Sequence, residues 1–288
     1  MQSVSPTTAK SAVTHSSSSN FQMRIAQRME TFSDGRVLEH AVLQALSNHE
    51  FLPFYQPKVC IDTCELVGVE VLARWKHPTL GLIAPAQFLP VVESLGSLDE
   101  LFSQLLDHAL QQRQALLAMG IELNLAFNIH PAQLRRPKFV QDFQRALSRF
   151  ACPARAITIE LLETGRITSD GQSFKSLLQL RLMGCGLSMD DFGSGFSSLK
   201  RLCELPFSEI KLDASFLRQL NSNPKTRTII GNTVKLAKAM EIKLVIEGVE
   251  ELDQVRQLKD MGCSVAQGFF FARPMSFEQL VRYCQSGQ

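Results

Sequence analysis

The chain has 288 residues, 45% of them hydrophobic and 20% charged, the balance of a folded globular protein that can bury a real core. A formal net charge of +2 supplies no broad basic field, so long nucleic acid is not an expected partner and any phosphate-bearing ligand has to be recognised locally. Seven scattered cysteines, an odd number, do not fit the disulfide framework of a small secreted domain, and a cytoplasmic location is expected.

The opening "MQSVSPTTAKSAVTHSSSSN" is rich in Ser and Thr and lacks the apolar core of a secretory signal. It buries too little apolar surface to offset the entropy of ordering and reads as a mobile tail. Phe21, Ile25 and Met29 follow at helical spacing, a short lead helix. Residues 1–34 are thus set apart from a domain at 35–288, which opens with the helix "GRVLEHAVLQALSNHE". No apolar run reaches the roughly eighteen residues of a membrane span, so no membrane insertion is expected.

Next comes the β-like run "EFLPFYQPKVCI". Cys60 and Cys64 read as two partly buried thiols in a hairpin, without the second pair or histidine cluster that would complete a zinc site. Strand-like and helical stretches then alternate: "LVGVEVLARW" and 99–119, "LNLAFNI" and 138–150, "AITIELLE" and 171–183, "GLSMDDF" and 196–203. The alternation continues with "EIKLD" and 225–240, "KLVIEGVE" and 251–261, then "SVAQGFFF" and a closing helix at 276–284. Sustained over about 250 residues without an internal linker, it predicts one α/β domain with a mostly parallel sheet, and a closed (β/α)8 barrel of the TIM type has the right length and repeat number.

Polar residues punctuate the ends of the apolar runs: Glu70, Asn128, Glu160, Asp190 with Asp191, Lys211 with Asp213, Glu247 and Gln267. In a barrel these ends converge on one mouth, where such folds build active sites. Each residue alone has an ordinary reading: a salt-bridged strand end for Glu70 or Glu160, a solvated cation for Lys211, a turn for Asn128 and for the glycines of "DDFGSG". His77 and His130, both before proline, read as loop histidines, and Trp75 and Phe269 to Phe271 as core or dimer contacts. Together, so many carboxylates need a neutralising cation. Oxygen ligands without histidine or thiolate suit Mg²⁺ or Mn²⁺, and adjacent Asp190 and Asp191 can serve two ions, an arrangement used in phosphodiester hydrolysis. Lys211 can then orient the attacking water, and Arg74 can fork onto a phosphate oxygen.

These residues sit in ordered motifs: "FYQPKV", "EVLARWKHP", "AFNIHPAQL", "IELLETG", "MDDFGSGFSSLKRL", "PFSEIKLDASF", "VIEGVE" and "AQGFFFARPM". Their order and spacing resemble the EAL-domain phosphodiesterases of bacterial cyclic di-GMP signalling over about residues 35–286, and the wording is similar to the branch that follows a response-regulator receiver. The resemblance implies an antiparallel strand in the barrel and hydrolysis of cyclic di-GMP to linear pGpG. It implies metal ligation by Glu70, Asn128, Glu160, Asp190, Asp191 and Glu247, with Asp190 bridging two ions. Glu247 is expected as general base, Lys211 as the lysine that positions water, and Glu70 as a further catalytic residue. Gln56, Leu72, Arg74, Asp213 and Gln267 are expected to contact the dinucleotide. Glu163 and Glu250 are expected as anchors of the "DDFGSG" loop, whose side of the barrel is expected to form a homodimer.

The chain departs from the family wording at Val71 for Ala, Leu162 for Thr, Ser194 for Thr and Phe196 for Tyr. Leu162 removes a hydroxyl beside the loop anchor, while every expected metal ligand is present. The alternative function is a module that binds cyclic di-GMP or a protein partner without turnover.

Overall fold

The computed structural model describes residues 35–162, 171–193 and 198–286. After α1 (Gly35–Ser47), strand β1 (Phe51–Cys60) shows why its sequence alternates: Phe51, Tyr55 and Val59 pack outward into core, while the intervening positions turn inward. Lys58 breaks the pattern because an inward position this far along the strand is itself buried. Strand β2 (Leu66–His77) folds back antiparallel on β1, with Gln56 opposite Glu70 and Lys58 opposite Gly68. Cys60 is half-buried near this hairpin, but Cys64 is exposed, which corrects the expectation for that pair; all seven cysteines are free thiols.

A short β3 (Gly81–Ile83) pairs with the far end of β2, and α2 (Pro85–Ser94) follows. Neither was anticipated. Pro85 occupies the first helical turn, where its missing N–H costs nothing, and Pro90 lies inside the helix, so the stretch lacks a helical signature in sequence. The anticipated units then appear in order: α3 (Leu98–Ala118), β4 (Leu125–Ile129), a short α4 (Pro131–Leu134), α5 (Phe139–Arg149), β5 (Ile157–Leu162), α6 (Gln172–Met183), β6 (Gly186–Phe192) and α7 (Ser198–Glu204). They continue as β7 (Glu209–Leu212), a short α8 (Ala214–Arg218), α9 (Pro224–Ala239), β8 (Lys243–Ile246), α10 (Leu252–Asp260), β9 (Val265–Gln267) and α11 (Phe277–Gln285). The one-turn α4 and α8 also escaped the sequence reading.

The strand order β1-β9-β8-β7-β6-β5-β4-β2 closes through β1, which pairs antiparallel with both β9 and β2; all other neighbours in the ring are parallel. This is the expected eight-stranded barrel with one antiparallel strand. Seven parallel strands deliver their C-terminal ends to a single mouth. The main core lies between barrel and helices, and a second cluster of Val42, Leu46, Phe51, Trp75, Ile83 and Phe88 supports the hairpin beside the mouth. Trp75 is a core residue, its indole N–H donating to Glu50 Oε2 at 2.9 Å. Among the described residues no helix is long and apolar enough to cross a membrane.

Candidate active site

The interior of the barrel is polar, and Lys211 stands at its centre. Its side chain, 1% exposed, projects from β7 to four carboxylates on four other strands or their exits. Nζ lies 2.8 Å from Glu247 Oε1, 3.0 Å from Glu160 Oε2, 3.0 Å from Asp190 Oδ1 and 3.2 Å from Glu70 Oε2. Two amides complete the set. Asn128 Nδ2 donates to Glu70 Oε1 at 2.6 Å, and Gln267 Nε2 donates to Glu70 Oε2 and Glu247 Oε1, both at 2.8 Å. Gly268 makes the last placement possible: a Cβ there would lie 2.1 Å from the carbonyl oxygen of Val249, so only glycine lets β9 leave so close to the exit of β8.

Asp190 and Asp191 are adjacent, and in a regular strand they would face opposite sides of the sheet. The β6–β7 register shifts between Met189 and Phe192, and Asp191 adopts φ 55°. This bulge turns both carboxylates toward the mouth, and Asp tolerates the left-handed conformation better than most residues. Asp190, Asp191 and Glu247 each bring an oxygen within 4.8 Å of the others.

One ammonium cannot neutralise four carboxylates, and burial together with this surplus charge shows in the acidities of Glu247 and Glu160. Burial, with Asp190 and Glu70 beside it, pushes Glu247 up to about 8 against the pull of Lys211. Burial likewise raises Glu160 to about 7, although Lys211 and Lys58 oppose it. Burial, Asp190 and Asp213 raise Asp191 to about 6. Glu70 goes the other way: burial acts upward, but Lys211, Lys58 and the two amides outweigh it and hold the group at about 2. Lys211 stays protonated well above the ordinary lysine range, because its carboxylates overcome the cost of burial.

The remaining expected residues spread around this cluster. Gln56 lies opposite Glu70 on β1, and Leu72 lies opposite Phe54. Arg74 is half-buried, its guanidinium 5.6 Å from the Phe54 ring and donating to Ala73 O at 2.8 Å. Asp213 caps α8 by accepting from Ser215 N at 2.9 Å. Glu250 is exposed just past β8, and its backbone N–H donates to Gln254 Oε1. Glu163, Ser194 and Phe196 lie outside the described residues, as does the side chain of Leu162. The two loop histidines are used locally: His77 Nδ1 accepts from Thr79 N and Leu80 N, and His130 Nδ1 accepts from Ala132 N at the start of α4.

Two residues of the polar interior were missed. Lys58 Nζ lies 2.6 Å from Glu160 Oε1 and 3.1 Å from Glu209 Oε1, and all three are buried. The signal was the period of two: Lys58 follows the inward Gln56 by two residues, and Glu209 precedes Lys211 by two. A cavity of about 640 Å³ at the N-terminal end of the barrel touches Lys58 and Glu209 but none of the carboxylates around Lys211, so it is not where the candidate chemistry gathers.

The donor set suits a hard divalent cation. Glu70, Asn128, Glu160, Asp190, Asp191 and Glu247 offer only oxygen, without thiolate or imidazole. Gln267 Oε1 is moreover buried with no hydrogen-bond partner among the described residues, an acceptor that a water on such a cation would satisfy.

The model of the EAL domain matches residues 39–274. The chain belongs to the EAL-domain family. This EAL chain is 46% identical over 243 residues to the cyclic di-GMP phosphodiesterase RocR of Pseudomonas aeruginosa, a match covering 84% of this chain and 62% of RocR. It is 37% identical over 245 residues to the bifunctional diguanylate cyclase/cyclic di-GMP phosphodiesterase MucR of the same organism, covering 85% of this chain and 36% of that one. The chain thus spans less than two thirds of either relative. Among solved structures it is similar to the MucR phosphodiesterase in complex with c-di-GMP, with a TM-score of 0.79 and 37% identity over 84% of this chain and 99% of that one. It is also similar to the EAL enzyme Bd1971 bound to cAMP and cyclic di-GMP, with a TM-score of 0.81 and 28% identity over 91% of this chain and 72% of that one.

Proposed function

We propose that this EAL domain hydrolyses one phosphodiester bond of cyclic di-GMP, giving linear pGpG, and that it does so with two Mg²⁺ or Mn²⁺ ions. The observation that carries this reading is the bulged Asp190–Asp191 pair, which meets Glu247 within 4.8 Å above a lysine already surrounded by carboxylates. RocR, named as a cyclic di-GMP phosphodiesterase and 46% identical, supports the substrate.

Glu70, Asn128, Glu160, Asp190, Asp191 and Glu247 would hold the ions, Asp190 contributing to both. When bound, the ions supply an activated water and neutralise charge on the phosphoryl oxygens. Lys211, 2.8 Å from Glu247 Oε1, would orient the attacking water, and Glu247 would take its proton. The water oxygen forms a bond to phosphorus as the phosphorus–oxygen bond to the leaving ribose breaks, and the leaving oxygen receives the proton that Glu247 took from the water. Arg74, Gln56, Leu72, Asp213 and Gln267 contact the dinucleotide.

The second copy is a homodimer partner on the side of the loop after Asp191. Phe174, Leu178 and Leu182 recur four residues apart on α6 and are 38%, 37% and 87% exposed, and Leu199 on α7 is 58% exposed. Such an apolar stripe on α6, with Leu199 on α7, suits a self-complementary interface. The free thiols support a reducing cytoplasm as the place where it works.

Purified protein incubated with cyclic di-GMP and Mg²⁺, with products resolved chromatographically beside Glu70→Ala, tests the activity. Conversion to pGpG by the wild type and its loss in the variant are expected. Saturable binding with intact dinucleotide recovered would replace the enzyme by a receptor.

A further inference from the structure

The carboxylate of Glu160 is fully buried and held at both oxygens. Oε1 lies 2.6 Å from Lys58 Nζ, and Oε2 lies 3.0 Å from Lys211 Nζ. Lys58 is in turn held at 3.1 Å by Glu209 Oε1, on the same strand that presents Lys211 two residues later. Ser188 sits in register between Glu160 and Glu209. Strands β1, β5, β6 and β7 therefore frame one carboxylate from below.

We infer that Lys58 is a positioning residue for the candidate metal site: it pins Glu160 through Oε1, so that only Oε2 faces the mouth, and Glu209 fixes Lys58 in that role. This rests on the phosphodiesterase reading, which makes Glu160 a metal ligand. A carboxylate with two open oxygens can rotate or chelate on both. One whose lower oxygen is tied at 2.6 Å presents a single donor from a fixed direction. An ammonium suits the task, since a charge-assisted bond to a fully buried carboxylate resists rotation more than a neutral donor does.

The two explanations of Lys58 give opposite signs. Were it only a buried counter-charge, its removal would leave the interior more negative and a cation would bind as tightly or more tightly. As a positioning residue, its loss weakens binding, and partners behind a metal ligand typically matter by about 10–100-fold.

The test is Mn²⁺ binding to the intact chain, without substrate, by calorimetry and by electron paramagnetic resonance, for wild type, Lys58→Met and Glu209→Gln. Circular dichroism at the same temperature establishes folding. Expected are a dissociation constant raised about tenfold or more in Lys58→Met, a smaller rise in Glu209→Gln, and a changed Mn²⁺ spectrum in both. In turnover of cyclic di-GMP, kcat at saturating Mn²⁺ falls while KM stays near the wild-type value. Folded Lys58→Met with wild-type or tighter affinity and an unchanged spectrum overturns the inference. If Lys58→Met does not fold, Glu209→Gln decides alone, and unaltered Mn²⁺ binding in it overturns the inference. A wild type that binds no Mn²⁺ removes the phosphodiesterase reading itself, an outcome distinct from a variant that matches a binding wild type.

Discussion

Two lysines share the interior of this barrel and live in different company. Lys211, toward the mouth, faces four carboxylates, with Asp191 close by; Lys58, deeper in, faces two and is enclosed by the strands. The lower group is close to charge balance and acts as structure. The upper group carries more negative charge than its lysine can offset; burial, together with that charge, keeps Glu247 and Glu160 inclined to hold protons, and oxygens are left for a cation. Six carboxylates are divided between building the barrel and receiving a ligand, and Glu160 belongs to both groups.

The largest effect on stability is expected in the lower group. Lys58→Met strands Glu160 and Glu209 without their shared ammonium, and removing one partner of a buried pair costs about 3–5 kcal/mol. Urea denaturation in EDTA should show that loss as a lower midpoint at unchanged slope. A variant as stable as wild type would erase the distinction between the two lysines.

Removing a charge from the upper group should do the reverse. Asp190→Asn takes away the proposed bridging ligand and is expected to lower kcat about 10²–10³-fold. It also relieves repulsion around Lys211, so the metal-free protein should lose little or no stability. A large fall in the urea midpoint would mean that the upper carboxylates are structural after all. Between these lies Glu209→Gln, which keeps a hydrogen-bonding group against Lys58 but removes its charge; a loss of about 1.5–3 kcal/mol is expected, since bonds to charged groups contribute roughly that much.

Much of the upper group was legible because polar residues interrupt apolar runs at strand ends, and the barrel rule gathers strand ends at one mouth. Lys58 and Glu209 were harder to see. They occupy inward positions within "QPKV" and "EIKL", where a charged residue looks like ordinary alternation until closure of the barrel buries it. The bulge at Asp191 was invisible for another reason: two adjacent aspartates say nothing of φ, and only the register shift against β7 shows that both can face one ion. The hairpin extension β3 and helix α2 were hidden by prolines whose tolerance depends on where the helix begins. What stayed illegible was set by closure and local backbone conformation, rather than by residue type.

The effect that separates the groups without mutation is the pH dependence of the metal-free protein. Glu247 and Glu160 are raised in the folded state to about 8 and about 7, above the ordinary value of 4.5 that they regain on unfolding. The folded protein therefore keeps protons that the unfolded chain has released, and stability declines as pH rises from about 4.5 toward 8. Glu70 works oppositely: held at about 2, it contributes stability above 4.5 that is lost as pH falls toward 2. In EDTA the midpoint for thermal unfolding should thus peak near pH 5 and fall toward pH 8. With Mn²⁺ present the fall should flatten or reverse, because a cation that binds only the folded state competes with those protons and gains affinity as they leave. A profile in EDTA that is level across this range would mean that Lys211 satisfies its carboxylates unaided, and the surplus charge that distinguishes the mouth from the depth of the barrel would be gone.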